Sequence, residues 1–106
     1  MGLRENKIQL QILKWLREND YFCWRNANIQ RYTEGKYVNN PYHKSGQGDI
    51  IVVLKGGQHF EIECKTEKGK QSVVQAIHER RIKSLGGYYL VARSLEDVKT
   101  FLSTHT

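Results

Sequence analysis

The chain is poor in the residues that staple, break or anchor a polypeptide, with two cysteines, one proline and one methionine among 106 residues. Cys23 and Cys64 lie far apart and form no CxxC pair, whereas a small secreted scaffold carries a denser disulfide framework. Reduced thiols inside a cell are the expectation. No apolar run approaches the ~20 residues of a membrane-spanning helix. The opening Met1-Gly2-Leu3-Arg4-Glu5-Asn6 lacks the apolar stretch of a secretory signal, and Asn6 stands where a myristoylation signal needs Ser or Thr. These absences point to a soluble, cytoplasmic protein with no membrane partner. His43, His59, His78 and His105 show no ligand spacing, which argues against zinc.

Acidic charge is also scarce: eleven Asp and Glu stand against seventeen Lys and Arg, a net charge of +6. Such an excess favours a polyanionic partner, nucleic acid ahead of an acidic membrane. The length suits one domain, 1–106, with one modest core.

What is present is periodic. Ile8, Ile12, Trp15 and Leu16 form one apolar stripe with Leu13 at its edge, predicting a helix over 4–19. Asn19-Asp20 ends it, and Tyr21-Phe22-Cys23-Trp24 begins a strand that runs into Arg25. From 26 to 47 the periodicity disappears, in a stretch with room for a short strand pair, where Tyr32, Tyr37 and Tyr42 alternate with Arg31, Lys36, His43 and Lys44. Loops of this length are uncommon in compact domains and tend to be functional or disordered. Ile50-Ile51-Val52-Val53-Leu54 reads as a buried strand and Gly56-Gly57 as a hairpin turn. The returning segment alternates, with Phe60, Ile62 and Cys64 on one face and Glu61, Glu63 and Lys65 on the other. Ser72 and Gln75 have capping-box spacing at the start of a helix that carries Val74, Ile77, Ile82 and Leu85 and stops at Gly86-Gly87. Tyr88-Tyr89-Leu90-Val91-Ala92 is a further strand. Ser94 caps a last helix with Leu95, Val98, Phe101 and Leu102 inward. The expected class is α/β, a mixed sheet flanked by helices in the order α-β-β-β-α-β-α.

The chemistry centres on Asp49, Glu63 and Lys65. Hydrolysis of a phosphodiester builds negative charge, which a divalent cation can clamp while lowering the pKa of bound water. Mg²⁺ takes oxygen ligands and usually only one or two carboxylates. Asp49 and Glu63 could supply that pair, with the Cys64 carbonyl as a third oxygen. Lys65, two residues from Glu63 on the same face, could position or deprotonate the attacking water or stabilise the developing charge. The pair needs a particular register. A two-residue turn at Gly56-Gly57 would set Asp49 opposite Cys64 and turn the two acids to opposite faces. The sequence therefore predicts a three-residue loop, Lys55-Gly56-Gly57 with Gly57 left-handed, or a bulge nearer Asp49. Each residue also has a bland reading: Asp49 as a turn cap, Glu63 and Lys65 as a solvated pair, Gln75 as the capping-box partner alone.

Gly48-Asp49-Ile50, then Glu61-Ile62-Glu63-Cys64-Lys65-Thr66-Glu67-Lys68-Gly69 and Gln75, resemble the PD-(D/E)XK nuclease superfamily, and within it the virus-type replication-repair nuclease (VRR-NUC) branch. The resemblance spans most of the chain. It departs from the superfamily at Gly48, where proline is frequent. It implies a restriction-endonuclease-like core and a deoxyribonuclease dependent on Mg²⁺, with Mn²⁺ as a substitute. It also implies that Asp49 and Glu63 bind the metal, that Lys65 assists catalysis, and that a helix-borne glutamine, Gln75, orients the lysine or a water. An acid on the first helix would match Glu5. That residue points within ~20° of the apolar stripe, although it could equally favour the positive end of the helix dipole. Compact stand-alone members resemble phage resolvases, so the resemblance implies a homodimer cutting branched DNA such as four-way (Holliday) junctions. Arg25, Arg31, Lys36, Lys44, Lys68 and Lys70 are the candidate DNA contacts. The alternative is a catalytically silent nucleic-acid-binding module of the same fold.

Overall fold

The computed structural model describes residues 2–26, 31–33, 36–38 and 46–105. Lys44 lies outside them, as do the side chains of Arg31 and Lys36 and of the loop tyrosines. The first helix, α1, spans Gly2–Glu18 and buries Ile12, Leu13 and Leu16. It ends where Asp20 adopts a left-handed φ of 62° and the Tyr21 N–H reaches back to the Leu16 carbonyl at 2.9 Å. Aspartate tolerates that conformation better than most non-glycine residues.

Strand β1 (Phe22–Arg25) follows, then a separate antiparallel pair, β2 (Arg31–Thr33) and β3 (Lys36–Val38), within the stretch that lacked periodicity. The main sheet is completed by β4 (Ile50–Leu54), β5 (Gln58–Cys64) and β6 (Tyr88–Ala92), in the order β1-β4-β5-β6. The β1/β4 and β4/β5 pairs are antiparallel and β5/β6 is parallel. The parallel pair needs a crossover, and α2 (Val73–Ser84) supplies it. Helix α3 (Leu95–His105) closes the chain. The expected mixed sheet with flanking helices is the observed architecture. None of the described helices is long and apolar enough to cross a membrane.

The turn between β4 and β5 decides everything downstream. Leu54 pairs with Gln58, so the loop holds three residues, and both Gly56 and Gly57 are left-handed at φ 81° and 78°. Side chains bearing Cβ resist this conformation. The register runs from Leu54↔Gln58 to Ile50↔Ile62, and Asp49 lies one residue beyond the last pair, beside the end of β5 that carries Glu63. The three-residue loop with a left-handed Gly57 is one of the two connections that the acid pair allowed.

One sheet face is apolar. Ile50, Val52, Leu54, Phe60, Ile62, Cys64 and Ala92 pack with Ile12, Leu13 and Leu16 of α1 and with Val98 and Leu102 of α3. The other face carries Glu61, Glu63 and Tyr89 beneath α2, and α2 meets it with a polar side on which His78 is buried. Several apolar residues of α2 turn outward: Val73 is 76% exposed and Ile77 57%, with Val74 also exposed, as is Leu85 at the helix end, while Ala76 and Ile82 are half-buried. This helix therefore lacks the single inward apolar stripe of an ordinary surface helix.

Candidate active site

Asp49 stands at the entrance to β4, held by its backbone on both sides. Its N–H donates to the Ile62 carbonyl at 2.8 Å, and its own carbonyl accepts the Asn26 N–H at 2.8 Å. Carboxylate Oδ2 accepts the Cys64 N–H at 2.7 Å. Burial pushes the Asp49 carboxyl above the ordinary carboxylate range. The Cys64 N–H opposes this, the neighbouring charges of Glu63 and Glu5 add to it, and Lys65 offsets part of it. Glu5 thus acts on Asp49 from the first turn of α1, where the expected first-helix acid lies.

Glu63 is fully buried, at 0% exposure. Its Oε1 accepts the Tyr89 hydroxyl at 2.6 Å and the Gln71 amide at 3.3 Å. Its Oε2 has no hydrogen-bond partner and lies 3.6 Å from the Lys65 ammonium. Burial, then the Glu63 carboxylate, raise the Tyr89 pKa well beyond its usual value, so Tyr89 remains a proton donor to Glu63. The Cys64 thiol is likewise pushed far up, by burial first and by Asp49, Glu5 and Glu63 after it. Cys64 is therefore a neutral core residue and no nucleophile.

Two acids, an orphaned buried carboxylate oxygen and a lysine converge where β4 begins and β5 ends. Among the described residues, no group of three or more His, Cys, Asp and Glu is placed to hold a metal. A hard dication completing its shell with water and phosphate oxygens does not require such a group. A Glu63 Oε2 without a hydrogen bond and the like charges beside Asp49 would suit a divalent cation, and Asp49 and Glu63 are the residues that could hold it.

Gln75 is elsewhere. Its backbone N–H donates to Ser72 Oγ at 3.1 Å and its side-chain oxygen accepts the Ser72 N–H at 2.9 Å, so that oxygen serves the capping box. The amide that reaches the site belongs to Gln71, which also donates to Glu79 at 2.8 Å and so ties Glu63 to α2. Periodicity gave no reason to prefer Gln71, which precedes the helix. Tyr89 was more accessible to sequence reasoning, because a tyrosine in a buried strand needs a partner for its hydroxyl.

Arg93 is a further residue that spacing did not reveal. Its guanidinium donates to the carbonyls of Thr66 (2.7 Å), Glu67 (3.2 Å) and Gly69 (2.6 Å), pinning the loop that follows Lys65. Lys68 and Lys70 of that loop are exposed, and Arg25 donates to Asn6 on α1 at 2.8 Å.

No protein-family model matches the chain, and no curated protein matches it. Solved structures do. One, described as a VRR_NUC domain, superimposes with a TM-score of 0.70 at 18% identity, covering 97% of this chain and 98% of its own. A second, described as a VRR_NUC domain protein, gives 0.63 at 17% identity over 98% and 88%. Across nearly its whole length, this chain has the fold of the VRR_NUC domain.

Proposed function

We propose that the chain is a metal-dependent endonuclease that hydrolyses DNA phosphodiester bonds. The observation carrying this reading is the convergence of Asp49, Glu63 and Lys65 around a buried carboxylate oxygen that lacks a hydrogen bond, within the fold of VRR_NUC domains. Asp49 and Glu63 would hold Mg²⁺, or Mn²⁺ in its place, with the Cys64 carbonyl as a third oxygen. A bound divalent cation supplies charge neutralisation at the phosphate and a more acidic water. Lys65 stands beside Glu63 to orient or deprotonate the attacking water and to counter charge on the phosphoryl oxygens. Tyr89 and Gln71 fix the Glu63 carboxylate, so the ligand need not reorganise during the reaction. Glu5 extends the acidic wall towards α1, and Gln75 contributes by starting α2 over the site.

Arg25, Lys68 and Lys70 would follow the phosphate backbone, with Arg31, Lys36 and Lys44 as further contacts. Phe22 and Trp24, exposed and in edge-to-face contact at 5.5 Å, share a sheet face with Asp49 and suit contact with unpaired bases. The favoured substrate is branched DNA, and the four-way junction the preferred form, cut by a homodimer whose two sites make symmetric incisions. The outward apolar residues of α2 support a self-association surface, since contiguous exposed apolar patches mark interaction sites. Ile77→Glu is accordingly expected to leave the melting temperature of the fold within a few degrees and to shift the sedimentation coefficient from dimer to monomer. An unchanged sedimentation profile would remove α2 from the interface.

The deciding assay incubates the protein with a labelled four-way junction and a matched linear duplex, in Mg²⁺, Mn²⁺ or chelator. Metal-dependent cutting of the junction alone supports the full reading. Cutting of both substrates retains the nuclease and discards the junction preference. Salt-sensitive binding with no cleavage under either metal would overturn the enzyme reading in favour of a silent binding module.

A further inference from the structure

Glu61 precedes Glu63 by one alternation of β5 and is 3% exposed. Its carboxylate is shared among three groups. Oε1 accepts the Gly48 N–H at 2.9 Å and lies 2.9 Å from His78 Nε2, while Oε2 lies 2.6 Å from His59 Nε2. A buried carboxylate is costly unless satisfied in this way. The contact to Gly48 has a consequence for the site, because Gly48 is the residue before Asp49. Its approach is close: a Cβ at position 48 would stand 3.0 Å from the Glu61 Cβ and 3.0 Å from the Ile62 carbonyl oxygen. Glycine leaves room for the contact and keeps the N–H that proline would lack. Together with the two backbone bonds of Asp49 to Ile62 and Asn26 and the Asn26 amide on the Gly48 carbonyl at 3.1 Å, the Glu61 bond gives the entrance to β4 a fourth anchor, and the one made to the Gly48 N–H.

We propose that Glu61 is a positioning residue: braced by His59 and His78, it holds the Gly48 N–H and thereby sets the Asp49 carboxylate opposite Glu63. The proposal rests on the reading of Asp49 and Glu63 as metal ligands. Outer groups that orient metal ligands typically change metal affinity 10–100-fold when removed. The test is Mn²⁺ binding by calorimetry on the full chain without DNA, for wild type, Glu61→Gln, Glu61→Leu and Asp49→Asn. Glutamine still offers an oxygen to Gly48 and His78, so Glu61→Gln should bind within about 3-fold of wild type. Leucine of similar size offers none, and Glu61→Leu should bind about 10–100-fold more weakly. Wild-type binding in a folded Glu61→Leu, or equal weakening in both variants, would overturn the proposal. So would rapid hydrogen exchange of the Gly48 amide in the wild-type protein, a measurement that does not depend on any variant folding. Absent Mn²⁺ binding in wild type, or binding untouched by Asp49→Asn, would instead remove the metal reading beneath it.

Discussion

Glu63→Gln and Lys65→Ala are each expected to lower the single-turnover cleavage rate by about 10³-fold while leaving DNA affinity within a few-fold. The two substitutions act differently. Glutamine at 63 keeps an oxygen for the Tyr89 hydroxyl and the Gln71 amide, so the pocket retains its shape. It loses the second carboxylate oxygen, the one left without a hydrogen bond, and with it the charge that would hold a cation. Alanine at 65 removes the ammonium that sits 3.6 Å from that oxygen. Because this leaves a buried carboxylate without its cation, Lys65→Ala should also melt at a lower temperature than wild type, whereas Glu63→Gln should not. Rate measurements paired with thermal melts therefore separate catalytic loss from structural loss. Retained cleavage in a folded Glu63→Gln would dismiss Glu63 as a ligand.

The second large effect concerns stability and runs opposite to activity. Folding raises the Asp49 carboxyl above its ordinary 3.8, through burial and the nearby charges of Glu63 and Glu5. A carboxyl so raised contributes most to stability below its unfolded value, and that contribution is lost as pH climbs through the folded one. At neutral pH without metal, ionised Asp49 thus weighs against the fold. Asp49→Asn keeps an acceptor for the Cys64 N–H and removes the charge. It should abolish cleavage and, in chelator at pH 7, melt higher than wild type by about 4 °C if the gain is ~1 kcal/mol. The advantage should shrink as pH falls towards 3.8. Adding Mn²⁺ should raise the wild-type melting temperature and leave Asp49→Asn nearly unmoved. Equal melting of the two proteins in chelator at both pH values would show that Asp49 carries no such burden.

Much of this was legible from residue order, and the exceptions have physical reasons. The β4–β5 hairpin could be read because two constraints met: alternation indicated which side chains of β5 share a face, and the need for Asp49 to join Glu63 narrowed the connection to a three-residue loop or a bulge, of which the structure has the loop. Helix α1 announced itself by an apolar stripe that is buried as expected. Helix α2 was opaque in orientation, since hydrophobicity identifies an inward side only when the surface below is apolar. Here that surface holds Glu61, Glu63 and Tyr89, and His78 meets it through a hydrogen bond. Gln71 and Gln75 illustrate the same limit. Both are amides near the start of α2, and only the geometry shows that one is occupied by the cap while the other reaches Glu63. The stretch between β1 and β4 offered no period to read.

The two left-handed glycines at the far end of the hairpin carry a genetic consequence. They lie beyond the far end of β4, seven and eight residues along the chain from Asp49, and the five residues of that strand alone span roughly 17 Å. A β-branched allele at either position would resist the left-handed backbone that this three-residue loop uses, and any loop that changed the register by one residue would turn one of the two acids to the opposite face. In a screen for inactive alleles, Gly56 and Gly57 would therefore be expected to score beside Asp49 and Glu63, although they lie outside the proposed site.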